Sequence, residues 1–122
     1  MSAVAAVLSI LLFLAFATSG LQKVRFNPMA SQSSEHLGFS RSAYQRIGAL
    51  EIAGAVALLV GLAAKGSSFL AILNETAAVG LAVTMALALY FHLRKGDNAK
   101  LFAPAVVLGV LAMLELIVRL AA

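Results

Sequence analysis

Three glutamates stand in apolar tracts, in a chain of 122 residues of which only 11% are charged. Glu51 interrupts GALEIAGAVALLVGL (residues 48–62), and Glu75 and Glu115 interrupt similar stretches further on. A carboxylate in such surroundings pairs with a cation, gathers hydrogen bonds, carries a proton or holds a ligand, because left alone its charge is costly. Lys23 at the end of the first apolar run and His92 at the end of the third have the sign and reach to meet Glu51. The nearby Gly48, Gly54 and Ala55 are small, so a second helix can bring those groups close. The leading reading is a structural clasp, with Glu51 ionised, held by Lys23 and with His92 as a secondary partner. The alternative is a proton-handling or ligand-binding carboxylate. Asn74, Glu75, Glu115 and Arg119 make a second polar cluster. Glu115 and Arg119 are spaced i, i+4 with the acid first, the favourable order for a helical ion pair that anchors a helix end.

The same inventory removes other chemistry. With no cysteine, the chain has no disulfide, thiolate metal site or dithiol relay. Its two histidines, His36 and His92, include one in a loop, so the chain cannot build an intramembrane bis-His haem or an iron–sulfur cluster of its own. No catalytic set and no metal-ligating set is read. The net charge of +4 comes from basic residues scattered over short loops without aromatic platforms, which excludes a nucleic-acid partner.

The elements that carry these residues follow from composition. At 62% hydrophobic residues and a mean hydropathy of +1.00, the chain holds more apolar surface than a small aqueous core can hide. Four apolar runs, Ala3 to Leu21, Ile47 to Ala64, Phe69 to Phe91 and Leu101 to Leu120, are each long enough to cross a hydrocarbon layer of ~30 Å as a helix. Helices alone satisfy an open chain's backbone in lipid. The expected fold is an all-α membrane protein, one domain over residues 1–122, with four transmembrane helices. The first run, despite a small-x-small Ala15-Phe16-Ala17, has no positive segment before it and is read as a retained helix. Between helices one and two, NPMASQSSEHLGFSRSAYQRIG reads either as a polar loop, on the strength of Pro28 and the serines, or from Ser34 onward as a short interfacial helix. Gly66 and Gly96 are available as helix C-caps in the two shorter links.

On these runs Glu51 lies ~6 Å from the start of helix two, level with Thr18, Ser19, Lys23 and His92. Glu75 and Glu115 lie ~9 Å and ~7 Å from the opposite ends of helices three and four. Small residues recur every four positions as Ala49, Ala53, Ala57 and Gly61 on helix two and as Ala78, Ala82 and Ala86 on helix three, a pattern that lets helices pack closely in lipid. Such faces also suit a homo-oligomer. Lys23, Arg25, Arg41, Arg46, Arg94, Lys95 and Lys100 lie in the Gln22–Arg46 and His92–Lys100 loops, against Lys65 and Arg119 on the other side. That bias puts both loops in the cytoplasm and both termini outside. The pI of about 10.0 then reflects membrane orientation and contact with anionic lipid.

TSGLQK closing helix one, IGALEIAGAVALLVGL in helix two, HLRKGD after helix three and APAVVLGVL in helix four together resemble the DoxX-like family of small four-helix membrane proteins. The resemblance extends over nearly the whole chain and covers Lys23 and Glu51; Asp97 stands where an acidic residue commonly follows the basic turn. It implies an integral protein of the bacterial cell membrane. The family's founding association is with a membrane thiosulfate:quinone oxidoreductase, as a small subunit, and relatives are described as membrane partners of oxidative-stress proteins. Eukaryotic proteins of similar fold act as cargo receptors or receptor-assembly chaperones. The favoured expectation is therefore a non-catalytic scaffold, accessory subunit or assembly factor for other membrane or peripheral proteins, without a cofactor of its own. The alternative is a redox-associated small subunit that helps form a quinone site around Glu51, Lys23 and His92, with a quinone or a lipid as the bound molecule. A small multidrug transporter fits less well, since helix one lacks the carboxylate that architecture needs.

Overall fold

The computed structural model describes residues 3–61 and 68–121. It contains α1 (Ala3–Arg25), α2 (Pro28–Leu37), α3 (Arg41–Val60), α4 (Ser68–Arg94) and α5 (Ala99–Ala121). All but α2 are long and apolar enough to cross a membrane. The fold is a four-helix transmembrane bundle with a short polar helix between the first two spans. Lys65 and Gly66, used above for the charge bias and a C-cap, lie outside the described residues.

Local chemistry explains the boundaries. Pro28 opens α2 instead of breaking it: its fixed φ and missing N–H suit the first turn, and the Asn27 side chain caps that turn by accepting from Ala30 N at 2.8 Å. α2 ends at Gly38, left-handed at φ 84°. The helix thus begins well before Ser34, where the sequence reading placed it. Ser40 caps α3 by accepting from Ala43 N at 3.1 Å, so α3 starts at Arg41 and takes Tyr44 and Arg46 out of the loop. α4 closes in a Schellman turn, with Gly96 at φ 72° donating to Leu93 O and Asp97 N donating to His92 O.

α1 packs chiefly on α3 and α4 on α5; contacts of α3 with α4 and of α1 with α5 close the ring. Leu12 and Phe16 of α1, Ala55 and Leu58 of α3, Leu81 and Met85 of α4 and Ala112 of α5 meet in the core. The tightest crossing is between α1 and α3. A Cβ on Gly48 would lie 2.6 Å from Lys23 Cβ and 2.7 Å from Gly20 O, so only glycine lets the two backbones touch there. Gly61 gives the same close passage to Asn74, whose Cβ fills the space a Gly61 side chain would need.

The four-residue stripes do not map onto these contacts as expected. Ala49 and Ala53 are exposed, Ala57 is half-buried, and Gly61 alone of that row is buried. On α4, Ala78 is buried, Ala82 half-buried and Ala86 exposed. A strict i+4 row winds about 40° around the helix per step, so it cannot stay on one straight interface. The buried face of α3 runs through Tyr44, Gly48, Glu51, Ala55 and Leu58, alternating steps of three and four.

Candidate functional site

The close passage at Gly48 brings the end of α1 beside the first turns of α3, and the Lys23–Glu51 pair forms there. Lys23 Nζ lies 2.8 Å from Glu51 Oε1 and donates to Ser19 Oγ at 2.7 Å. The Glu51 side chain is 1% exposed and that of Lys23 16%. Glu51 Oε2 is buried with no hydrogen-bond partner. The Lys23 ammonium also sits over the Tyr44 ring, 5.5 Å from its centroid. Thr18, placed at the same level by the sequence, bonds instead to Leu14 O of its own helix and is exposed.

These groups form part of the wall of a cavity of about 400 Å³ at the α2 end of the bundle. Ser19, Lys23, Glu51, Tyr44, Thr84 and His92 supply its polar edge. The rest is apolar, including Ile47, Leu50, Met85, Leu87 and Leu108. Leu37 and Phe39, from the end of α2 and the link after it, complete the wall. The Phe39 ring packs at 4.8 Å against Phe91 and at 5.8 Å against Tyr44, an aromatic cluster joining three segments around the opening.

His92 lines this cavity, but its Nδ1 bonds to Asp97 Oδ2 at 2.7 Å and not to Glu51. The second Asp97 oxygen, Oδ1, meets His36 Nε2 at 2.7 Å. A carboxylate only accepts, so both ring nitrogens donate. The His92 hydrogen bond, joined by that of His36, holds the Asp97 carboxyl below the usual carboxylate range despite partial desolvation. The turn at Gly96 is what folds Asp97 back over His92, and His36 then ties the far end of α2 to the same point. The secondary role read for His92 beside Glu51 is thus replaced by a His36–Asp97–His92 bridge.

The second polar cluster lies toward the opposite end. Ser9 Oγ donates to Glu115 Oε1 at 2.9 Å, and Asn74 Nδ2 donates to Leu58 O at 2.9 Å and lies 3.5 Å from Ser9 Oγ. Ser9, Asn74 and Glu115 are all fully buried. Arg119 does not close an ion pair with Glu115; its Nη2 donates to Gly61 O at 3.2 Å, at the end of α3. Glu75, next to Asn74 on α4, is half-buried.

Sequence reasoning therefore missed Tyr44, Ser9, His36 and Asp97. Tyr44 was hidden by the late start assigned to α3. The bonds of Ser9 to Glu115 and of His36 to Asp97 join residues 106 and 61 positions apart and depend on which helices are neighbours, which periodicity does not report. Among the described residues no cluster of three or more His, Cys, Asp or Glu is arranged to hold a metal ion.

No curated protein and no solved structure matches the chain. A family model described as the DoxX-like family matches residues 7–114, most of its length. The four spans and that match agree: the chain belongs to the DoxX-like family of integral membrane proteins.

Proposed function

We propose that this DoxX-like protein is a non-catalytic accessory subunit or scaffold of the bacterial cell membrane, and that it offers its partner complex a binding cavity beside Lys23 and Glu51. The observation that carries this reading is Glu51, which lines a cavity of about 400 Å³ and whose buried Oε2 has no hydrogen-bond partner. A buried acceptor without a donor is costly, so a ligand hydroxyl that donates to it is held well. Lys23 has three N–H groups and spends two on Ser19 and Glu51, leaving one donor for a ligand oxygen. One donor and one acceptor at the polar edge of an apolar cavity suit a lipid-soluble molecule with a small oxygenated head. Both histidines are committed to Asp97, which supports a role as binder and not as carrier of a redox group.

A second reading places a quinone or quinol in that cavity, as part of a partner oxidoreductase's site. It is favoured by the same donor and acceptor pair, which matches a ring able to present either a carbonyl or a hydroxyl. Purification in mild detergent, with identification of co-purifying proteins and lipids, separates the two readings. A stable protein partner without a quinone supports the scaffold alone. Titration with a short-chain hydroquinone tests the cavity directly: binding lost in Glu51→Gln supports it, and equal binding in both proteins refutes it. Residues 22–46, with α2 among them, and residues 92–100 face the cytoplasm in this proposal, on the strength of their basic charge. Cysteines at positions 33 and 98 that react with an impermeant reagent in intact cells would reverse that orientation.

A further inference from the structure

Donors and acceptors do not balance in the Ser9–Asn74–Glu115 cluster. Its side-chain oxygens are Ser9 Oγ, Asn74 Oδ1 and both oxygens of Glu115. The Ser9 hydroxyl proton goes to Glu115 Oε1, and the Asn74 amide donates to Leu58 O and faces Ser9 Oγ. A backbone carbonyl only accepts, so Leu58 O fixes the amide with Nδ2 toward it and Oδ1 away. Two acceptors, Glu115 Oε2 and Asn74 Oδ1, are left fully buried without any donor. Among the described residues, the charged groups around them are Arg119 on α5, which donates to Gly61 O, and Glu75 on α4, both within electrostatic range of Glu115. Among the described residues, α1, α3 and the Gly61 that follows α3 contribute neutral groups here, Ser9 and the carbonyls of Leu58 and Gly61.

A single proton removes both deficits. We infer that Glu115 is a membrane-embedded proton-binding site: it takes one proton from the aqueous phase on Oε2, becoming a neutral acid, and donates that proton to Asn74 Oδ1. Ser9 Oγ lies 2.9 Å from Glu115 Oε1 and 3.5 Å from Asn74 Nδ2, so the carboxyl and the amide share one buried pocket. No other bond changes. The ligand is a proton, and its seat is built from all four spanning helices: Ser9 of α1, the Leu58 carbonyl of α3, Asn74 of α4 and Glu115 of α5. An uncharged acid also removes the cost of an anion at this depth. The site is separate from the Lys23–Glu51 cavity and does not depend on the function proposed for it.

Infrared spectroscopy of the protein in lipid bilayers at neutral pH tests this inference. The expected spectrum contains the carbonyl stretch of a protonated carboxyl group, shifted in heavy water, that survives Glu51→Gln and Glu75→Gln and is lost in Glu115→Gln. Asn74→Val moves the band to the position of an acid without a hydrogen bond. Glu115→Gln keeps the wild-type melting temperature, because its amide N–H supplies the same donor to Asn74. Only ionised carboxylate bands in the wild-type protein, or a band that disappears with Glu51→Gln or Glu75→Gln, overturns the inference. If Glu115→Gln does not fold, survival of the band in Glu35→Gln and Asp97→Asn as well as in Glu51→Gln and Glu75→Gln decides the matter, since those are the other four acidic side chains.

Discussion

Removing one member of the Lys23–Glu51 pair is predicted to cost far more than its share of removing both. Glu51 is 1% exposed and its Oε1 is held by Lys23 alone, so Lys23→Met strands an anion that cannot reach water. Breaking a buried pair from one side costs ~3–5 kcal/mol, and Lys23→Met belongs at the upper end. Glu51→Gln belongs at the lower end, since Lys23 keeps its bond to Ser19, is 16% exposed and has a flexible stem that can follow the water. The double variant replaces two charges by neutral groups of similar volume and should cost at least ~2 kcal/mol less than the sum of the singles. Unfolding by denaturing detergent, followed by far-ultraviolet circular dichroism for all four proteins, measures the coupling. Additivity within ~0.5 kcal/mol would refute the reasoning. So would a Lys23→Met protein more stable than Glu51→Gln, because the asymmetry rests on which charge is the more deeply buried.

The glycines form a graded series. Gly48→Ala pushes a methyl group into Gly20 O and Lys23 Cβ and should cost ~1–3 kcal/mol. Gly54→Ala meets only the end of the Leu81 side chain and should cost less, while Gly80→Ala, with open space around it, should gain up to ~1 kcal/mol from helix propensity. Melting temperatures in one detergent rank the three, and a Gly48→Ala protein as stable as wild type removes the close-passage argument. Asp97 sets the acid response of α2. Its carboxyl titrates below the ordinary range in the folded protein, so its contribution is complete above about pH 4 and is lost only as the pH falls through the lower folded value. Hydrogen exchange of the α2 amides should therefore stay slow to below that pH in the wild type and be faster at neutral pH in Asp97→Asn. Equal protection of α2 in the two proteins at neutral pH would show that the His36–Asp97–His92 bridge does not hold it.

The four spans were legible because length and hydropathy in lipid leave one backbone solution. Lys23 and Glu51 were legible as a pair because opposite sign and a long lysine stem act locally, although α3 begins at Arg41 and Glu51 stands ten residues into it instead of one turn. What the residues did not reveal fails for specific reasons. Asn27-Pro28 is a cap followed by a first-turn proline, yet proline among serines also marks a loop, and only tertiary contact decides between them. The four-residue stripes ignored the winding of a 3.6-residue helix. Glu115 was given to Arg119, its neighbour along the helix, because nothing in the sequence says that α5 lies against α1 and so beside Ser9.

The two polar clusters also differ in when synthesis can complete them. Lys23 and Glu51 are 28 residues apart and belong to the first two spanning helices to leave the ribosome. At ~5–20 residues per second, N-terminus first, that hairpin has time to neutralise its own charges before α4 and α5 are made. Ser9 and Glu115 are 106 residues apart, so Ser9 enters the bilayer long before its acceptor exists. Glu115, arriving last, finds its seat only when α1, α3 and α4 are already in place. Insertion therefore ends on the step that joins the last helix to the first. A chain cut short before α5 retains the means to form its first ion pair and the Asn74 bond to Leu58 O, but leaves the Ser9 hydroxyl without its acceptor.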